Sequence, residues 1–511
     1  MVVGTSSHVG KSVVATALCR IFSQDGYRVA PFKVQNMSRN SVVTPDGLEI
    51  SRAQAVQAEA AGVPPSAHMN PILLKPTDGQ RSQVIVQGRV SATQSAACYM
   101  RSIKQELWRA AVESFHYLSE RFGVIVMEGA GSPVEMNLKA NDLANMRAAE
   151  MADAAVILVA DIERGGVFAA VIGTLDLLEP RERARVVGIV INKFRGDLSL
   201  FDDGVRFLEE KTGVPVLGVM PYLPDLAIDE EDSLGLNSPR YRPQNTGGLR
   251  IGIVPLPHMA NFTDVDPLFW ELDVDPFFCR VPEDLRDADA VIIPGTKNTM
   301  EDLAWLDRTG WSDVLQYVRS QGRPILGICG GYQMLGQVVR DPGALESHRS
   351  EVLGLGWVPV ETTLVSPKRT EWVEGCLAAP WASIHIKGYE IHMGRTIPVG
   401  ATAPLAAVRA AGEMDWRSDG VVLDEMAVVG TYLHGIFDNQ GFRELWLNQV
   451  RERAGVGPEQ STMSVAALRD RAYDRLAAAV RGHLRLDRLY TAMSLGDNAM
   501  KESGRKNNGV S

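Results

Sequence analysis

Short apolar runs alternate with longer stretches of helical periodicity along most of the chain, the pattern left by parallel strands joined through crossover helices. In the first half the runs fall at residues 1–3, 28–32, 124–127, 155–159, 186–191 and 215–219. Each has the length of a strand buried on both faces. The segment LNSPRYRPQNTGG, 236–248, has no periodicity and is rich in Pro, Gly, Asn and Arg, so it reads as a linker. A second series begins at 250–254, 290–293 and 324–328 and continues through a strand-rich region with runs at 355–360 and 428–432. Helical periodicity returns from 443 to 489, and the polar Gly/Asn/Lys-rich end predicts a disordered tail. The expectation is two α/β domains, 1–235 and 249–494, with the closing helices in the second and the tail at 495–511.

Composition changes this picture only by exclusion. With 62 acidic against 52 basic residues, the formal charge of −10 argues against nucleic acid or an anionic membrane as the main partner. A phosphate site is not excluded, because backbone N–H groups and one lysine suffice to build it. The five cysteines are scattered, with no C-x-x-C pair, which predicts neither a disulfide framework nor structural zinc and suits a reducing cytoplasm. No apolar run approaches the roughly 20 residues of a membrane-spanning helix.

Chemistry enters at the end of the first strand. The sequence GTSSHVGKS, residues 4–12, has the elements of a phosphate-binding loop, with five residues rather than four between Gly4 and Gly10. A strand ending before Gly4 and a helix starting near Lys11 direct several N–H groups, including those around Thr5 and Gly10, at an anion. Lys11 then offsets phosphate charge, and the Ser12 hydroxyl is placed to hold Mg²⁺ beside ATP. Glu128, in VMEGAGSP at another strand end, is a second candidate metal ligand. Asp142 in NLKANDLANM and Asp161 in VADIERGG also follow strands, where a carboxylate can hold Mg²⁺ or orient an acceptor and can equally cap a helix. Asn192 and Lys193, in INKFRG, resemble the base-side element of nucleotide-binding proteins.

The second half carries a different signature. PILGICGGYQMLG places Cys329 in G-x-C-x-G between an apolar strand and a helical pattern, the geometry of a nucleophile elbow. The start of a helix favours the thiolate form of such a cysteine. Its candidate base is His434 in GTYLHGIFD, and IIPGTKNT, around Gly295 and Thr296, can supply an oxyanion hole together with Gly330. These residues read as a class I glutamine amidotransferase, in which the thiolate attacks the glutamine amide and releases ammonia. The usual triad has Glu two residues after the histidine; here that position is Ile436, so the group orienting His434 must come from elsewhere.

The phosphate loop is of the looser kind found in the dethiobiotin-synthetase-like branch of P-loop proteins, and its fusion to a triad-type amidotransferase resembles the corrinoid amidases. The run 30–76, with QNMS, RAQAVQA and MNPILLKP, together with NLKANDLANM and KGYEIHMGRT, resembles the cobyric acid synthase family in particular. The likeness runs from Gly4 to about Leu489. It implies a dethiobiotin-synthetase-like, mostly parallel sheet followed by a flavodoxin-like α/β amidotransferase domain. It also implies a cytoplasmic ligase using ATP, Mg²⁺ and glutamine to amidate the b, d, e and g carboxylates of adenosylcobyrinic acid a,c-diamide. Each carboxylate would pass through an acyl phosphate, and ammonia would need a path shielded from water between the domains. Asp142 is then a candidate catalytic residue of the ligase half. Gln35, Asn36, Ser38, Arg52 and Gln54 become candidates for binding the acceptor, a solvated helix face being the other reading. A homodimer is compatible with this picture. Only three residues precede Gly4, so the first strand is expected to be short, as from a trimmed or misassigned start. Two alternatives stay open: a cobyrinic acid a,c-diamide synthase, and a regulatory P-loop ATPase with a degenerate amidotransferase module.

Overall fold

The computed structural model describes residues 1–78, 81–95, 104–224, 226–229, 239–241 and 247–495. The expected tail beyond 495 and most of the expected linker lie outside them.

In the first half, strands Val2–Gly4, Val156–Asp161, Val186–Phe194 and Val216–Pro221 lie side by side in that order, all parallel. Val29–Phe32 pairs in parallel with Val124–Met127. A bridge between Val2 and Glu128, with Gly129 N–H donating to the Val2 carbonyl at 2.8 Å, joins the two pieces into one sheet. Helix Lys11–Gln24 lies against it through Val14, Leu18, Ile21 and Phe22, apolar positions three or four apart that form one stripe. Burying a side chain such as Phe22 contributes about 1.5–3 kcal/mol.

The first half also holds strands that periodicity did not predict. Gln35–Met37, Ile72–Asp78, Arg81–Val86 and Arg89–Ser95 form a separate sheet, and Ser41–Val43 pairs with Glu49–Ser51. These strands mix buried polar residues such as Lys75 and Gln83 with apolar ones, which masks the alternation of a half-buried strand.

The second half has a six-stranded sheet ordered Val274–Phe278, Leu249–Ile253, Ala290–Ile293, Ile325–Ile328, Val428–Thr431 and Val421–Leu423, parallel except for the last pair. Beside it runs a mainly antiparallel sheet built on the long pair Val360–Leu377 and His385–Pro398. The expected strand at 355–360 is not one. The N–H groups of Leu355, Trp357 and Val358 donate to the carbonyls of Met334 and Leu335, so this apolar segment closes the end of helix Gly330–Leu335 and extends no ladder before Val360.

The closing helices also differ from expectation. Val465–His483 and Leu486–Ala492 follow the amidotransferase-like half in sequence but pack on the first half. Tyr473, Leu476, Ala477, Val480, Leu489 and Tyr490 share a core with Val14, Leu18 and Phe22. Arg20 pairs with Asp474 at 2.8 Å and Arg481 with Asp25 at 2.6 Å. The apolar stripe shows that these helices need a partner, but periodicity does not say which sheet provides it.

The two halves meet over buried charge and an apolar patch. Val42, Ile50 and Ala55 of the first pack with Tyr389 and Ile391 of the second. Glu49, 1% exposed, receives Lys75 Nζ at 2.9 Å on one oxygen and Lys368 Nζ, from the second half, at 2.7 Å on the other. Burial opposes the Glu49 charge, but the two ammoniums outweigh it and hold the carboxyl far below its usual range. Burial brings Lys75 down to about 8, attraction to Glu49 being countered in part by Lys368. A second bridge runs from Arg52 to Asp229 at 2.5 Å, from Asp229 to Arg469 at 3.3 Å, and from Arg469 to Asp438 at 3.0 Å. Glu49→Ala strands two buried lysines, so it is expected to destabilise the protein by about 3–5 kcal/mol. The check is the urea midpoint, which should fall in the single variant and recover in Glu49→Leu/Lys75→Met/Lys368→Met.

Candidate functional site

The first centre lies where strand Val2–Gly4 passes into helix Lys11–Gln24. Gly10 has φ +99°, and a Cβ there would lie 2.0 Å from the Asn192 amide nitrogen, so both conformation and space require glycine. Thr5 N–H is committed to the Val159 carbonyl at 3.0 Å and extends the sheet. The first-turn N–H groups from Lys11 onward lack intrahelical partners and face the loop. Lys11 Nζ reaches across it, donating to the carbonyls of Ser6 and Gly131 at 2.9 Å each.

Ser12 Oγ donates to Glu128 Oε1 at 2.9 Å. That carboxylate is wholly buried and also receives Lys33 Nζ at 2.8 Å and the Gln57 amide at 2.5 Å. Asn192 donates to the Val9 carbonyl at 2.9 Å, and Lys193 bridges the His8 carbonyl at 2.7 Å and Asp161 at 2.9 Å. Gly4, Thr5, Gly10, Lys11, Ser12, Glu128, Asn192, Lys193 and Asp161 therefore come together.

Asp142 stands behind this group. Its carboxylate accepts from Ala144 N–H, Asn145 N–H and the Asn145 amide, and Asn145 in turn brackets Ala130 through both its N–H and its carbonyl. Burial raises the Asp142 pKa despite these bonds. The contacts brace the Gly-Ala-Gly turn whose Gly131 carbonyl anchors Lys11. The proposed acceptor residues are equally engaged. Asn36 donates to Ser51 Oγ at 2.6 Å and to Gln54 at 3.1 Å, and Arg52 is held by Asp229. Ser38 is buried and Gln35 half-buried on strand Gln35–Met37, so none of the five lies on a solvated helix face.

The second centre sits where neighbouring strands Ile325–Ile328 and Val428–Thr431 end. Register pairs Ile328 with Thr431, and Cys329 N–H donates to the Thr431 carbonyl at 2.8 Å, which brings the following residues Cys329 and His434 together. Cys329 has φ +52° and ψ −107°, a conformation costing about 1–3 kcal/mol. Gly331 lets the elbow form, because a Cβ there would lie 2.0 Å from the Ile293 carbonyl oxygen. A Cβ at Gly295 would lie 3.1 Å from His434 Cε1 and 3.8 Å from Cys329 Cβ, and one at Gly330 would lie 2.5 Å from Thr296. The proposed oxyanion residues thus border the sulfur and the imidazole.

The missing carboxylate is present. Asp264 Oδ2 lies 2.6 Å from His434 Nδ1, and Asp264 Oδ1 accepts Gly435 N–H at 3.0 Å. The Tyr389 ring stacks on the imidazole at 5.2 Å and 18°. Burial opposes the imidazolium, but Asp264 and the hydrogen-bonded Cys329 sulfur outweigh it and raise the His434 pKa to about 10. Sequence reasoning missed Asp264, which lies 170 residues before its partner. The only signal was a pair of acidic residues, Asp264 and Asp266, among the apolar positions of NFTDVDPLF. Lys33 and Gln57 were missed likewise, although both lie in the run 30–76 and Gln57 within RAQAVQA itself.

A cavity opens at Cys329 and His434, with Lys75 of the first half among its walls, beside Lys297, Gln333, Glu346 and Lys368. Among the described residues no cluster of three or more His, Cys, Asp or Glu could hold a metal ion, and no helix is long and apolar enough to cross a membrane.

Comparison with known proteins agrees with this two-centre arrangement. Residues 1–235 match the CobQ/CobB/MinD/ParA nucleotide binding domain, and residues 250–442 match the CobB/CobQ-like glutamine amidotransferase domain. The chain is 46% identical to a cobyric acid synthase of Klebsiella pneumoniae (strain 342), covering 96% of this chain and 97% of that one. It is 48% identical to one from Chlorobium phaeobacteroides (strain BS1), over 97% and 99% of the two chains. A third, from Moorella thermoacetica, is 46% identical over 97% of each.

The His434–Asp264 pair makes a pH prediction. The folded pKa, about 10, lies above the ordinary 6.5, so the pair's contribution to stability is complete below pH 6.5 and is lost as pH rises through 10. In NMR titration the His434 imidazole is expected to stay protonated until about pH 10, and Asp264→Asn to bring the midpoint back toward 6.5. An unchanged midpoint would show that Asp264 does not set the charge of the histidine.

Proposed function

The chain belongs to the cobyric acid synthase family, and from that membership we propose that it amidates the b, d, e and g carboxylates of adenosylcobyrinic acid a,c-diamide, using ATP and glutamine. The observation that carries the reading is the assembly of Cys329, His434 and Asp264 in one half, the first two lining a cavity whose wall includes Lys75 of the phosphate-loop half.

In this reading the proton rests on His434 Nε2, and the Cys329 sulfur attacks the glutamine carboxamide carbon. The N–H groups of Gly295 and Gly330 receive the developing oxyanion. His434 then gives its proton to the departing nitrogen, ammonia leaves, and a glutamyl thioester remains on Cys329. Water, deprotonated by His434, releases glutamate and restores the sulfur. Asp264 fixes the Nδ1–H tautomer and stabilises the imidazolium. The Cys-Gly-Gly flanks, the neighbouring His434 and the intact carboxylate all argue against a degenerate module with only an interaction role.

A carboxylate does not accept ammonia until its oxygen is made a leaving group. An acceptor carboxylate oxygen would attack the γ-phosphorus of ATP, ADP would leave, and ammonia would displace phosphate from the acyl phosphate. Lys11 and the first-turn N–H groups are placed to offset charge on the transferring group. The hard oxygens of Ser12 and Glu128, 2.9 Å apart, fit Mg²⁺ in kind, with Lys33 balancing the buried carboxylate. Mg²⁺ bound there supplies charge neutralisation to the phosphates. Asp142 contributes by holding the turn that positions Lys11. Asn36, Gln54 and Arg52 frame the acceptor site through the bonds they make to one another and to Asp229, and Asn192 and Lys193 hold the loop on its nucleotide side.

The test separates the two half-reactions. Purified protein with the a,c-diamide, Mg-ATP and glutamine should give products of successively lower mass, each carboxyl hydroxyl being replaced by an amino group. Cys329→Ala is expected to lose this with glutamine and regain it with ammonium salts, whereas Ser12→Ala should lose it with either nitrogen source. No mass change in the wild-type protein with either source would overturn the reading.

A further inference from the structure

Three lysines border the cavity at Cys329, and two of them already share one carboxylate. Lys75 and Lys368 each hold one oxygen of Glu49, and Lys75 donates also to Ser41 Oγ at 2.8 Å. Lys297 is different. It is 8% exposed, its backbone N–H is fixed on the His258 carbonyl at 2.9 Å, and its ammonium makes no hydrogen bond or ion pair with a described residue. A buried ammonium left this way is costly unless something that enters the cavity relieves it.

Across the same cavity stands Glu346, half-buried, with one carboxylate oxygen accepting Thr299 N–H at 3.2 Å. Burial pushes Lys297 down and Glu346 up, and each is the other's leading source of electrostatic relief. Yet the two do not close into an ion pair. Lys297 is fixed by the segment after Gly295 and Glu346 by its bonds to Asn298 and Thr299. Two opposite charges held apart on the wall of one cavity, with the nucleophile on that wall, match a small molecule bearing both charges at one end and a carboxamide at the other.

Building on the proposed glutamine-dependent reaction, we infer that Lys297 and Glu346 form the receptor for the amino-acid head of the donor, Lys297 taking the α-carboxylate and Glu346 the α-ammonium, so that the carboxamide is delivered to Cys329. This makes them specificity residues for the donor, distinct from the residues that perform its hydrolysis. It also explains why Lys75 and Lys368 need Glu49. Without Glu49 to engage two of them, three ammoniums would compete for the donor's one carboxylate and draw it away from Cys329.

Two truncated donors test each charge separately. 4-Aminobutanamide keeps the carboxamide and the amine but lacks the α-carboxylate, and glutaramate keeps the carboxamide and carboxylate but lacks the α-ammonium. Ammonia release by the full-length protein, with ATP and acceptor present, is measured with each donor. Wild-type protein is expected to prefer glutamine over either analogue in kcat/KM by roughly 10–100-fold, the worth of one charge-assisted hydrogen bond. Lys297→Met should abolish the preference over 4-aminobutanamide while keeping that over glutaramate, with the loss in KM. Lys297→Arg should restore part of it, and Glu346→Gln should show the reciprocal pattern. If Lys297→Met lowers kcat/KM equally for all donors and keeps both preferences, its role is structural and the inference fails. If wild-type protein releases ammonia from none of the three yet amidates with ammonium salts, the donor reading itself fails with it.

Discussion

One buried carboxylate decides how the two halves of this protein meet. Glu49 receives an ammonium from each half, Lys75 on one oxygen and Lys368 on the other, at a depth where any of the three charges alone would be untenable. The arrangement has little tolerance: slide one half by an ångström and a charge loses its partner. An apolar patch such as Val42, Ile50, Tyr389 and Ile391 supplies affinity without register, and the ion bridge supplies the register. What the bridge positions is Lys75, which reaches the cavity of Cys329 from the other half.

Both centres use the same geometric device. In a parallel sheet all strands end on one edge, and residues just past neighbouring strand ends come together without any long-range coincidence in sequence. Gly10 and Glu128 follow two such strands in the first half; Cys329 and His434 follow two in the second. Each centre then adds a positive-φ residue, Gly10 in the first and Cys329 in the second, that turns the chain sharply into a helix. The strain at Cys329 is held in place by the wall of Ile293 behind Gly331.

What the sequence made legible follows from this device. The phosphate loop, the cysteine elbow and most of the long parallel strands carry local signals: apolar runs, glycines at fixed offsets, a lysine at a helix start. The residues that went unseen act through tertiary contacts alone. Lys33 and Gln57 look like any polar residues until Glu128 is found buried between them. Asp142 reads as a site carboxylate, yet its bonds run to the turn carrying Gly131. Residues 72–95 look indifferent to strand or helix because buried polar side chains interrupt their alternation. The closing helices show an apolar stripe whose period is clear and whose destination is not, so chain order assigned them to the wrong sheet.

The substitution of Ile436 for an expected glutamate is instructive for the same reason. A carboxylate two residues after the histidine would be a local feature, fixed by the loop that carries both. Here the carboxylate comes from Asp264, in the short helix Phe262–Trp270, and that helix begins at Asn261 in a left-handed conformation. The Asn261 side chain in turn accepts Ser41 N–H from the first half at 2.9 Å, and Ser41 Oγ belongs to the Lys75–Glu49 network. Asp264, which contacts His434 Nδ1, is therefore three residues from a residue hydrogen-bonded to the opposite half. The strand Ser41–Val43 is thus hydrogen-bonded to the residue that starts the helix carrying Asp264, whose contact with His434 is 2.6 Å long. A carboxylate two residues after the histidine would stand apart from the other half; this one is joined to it by a chain of hydrogen bonds.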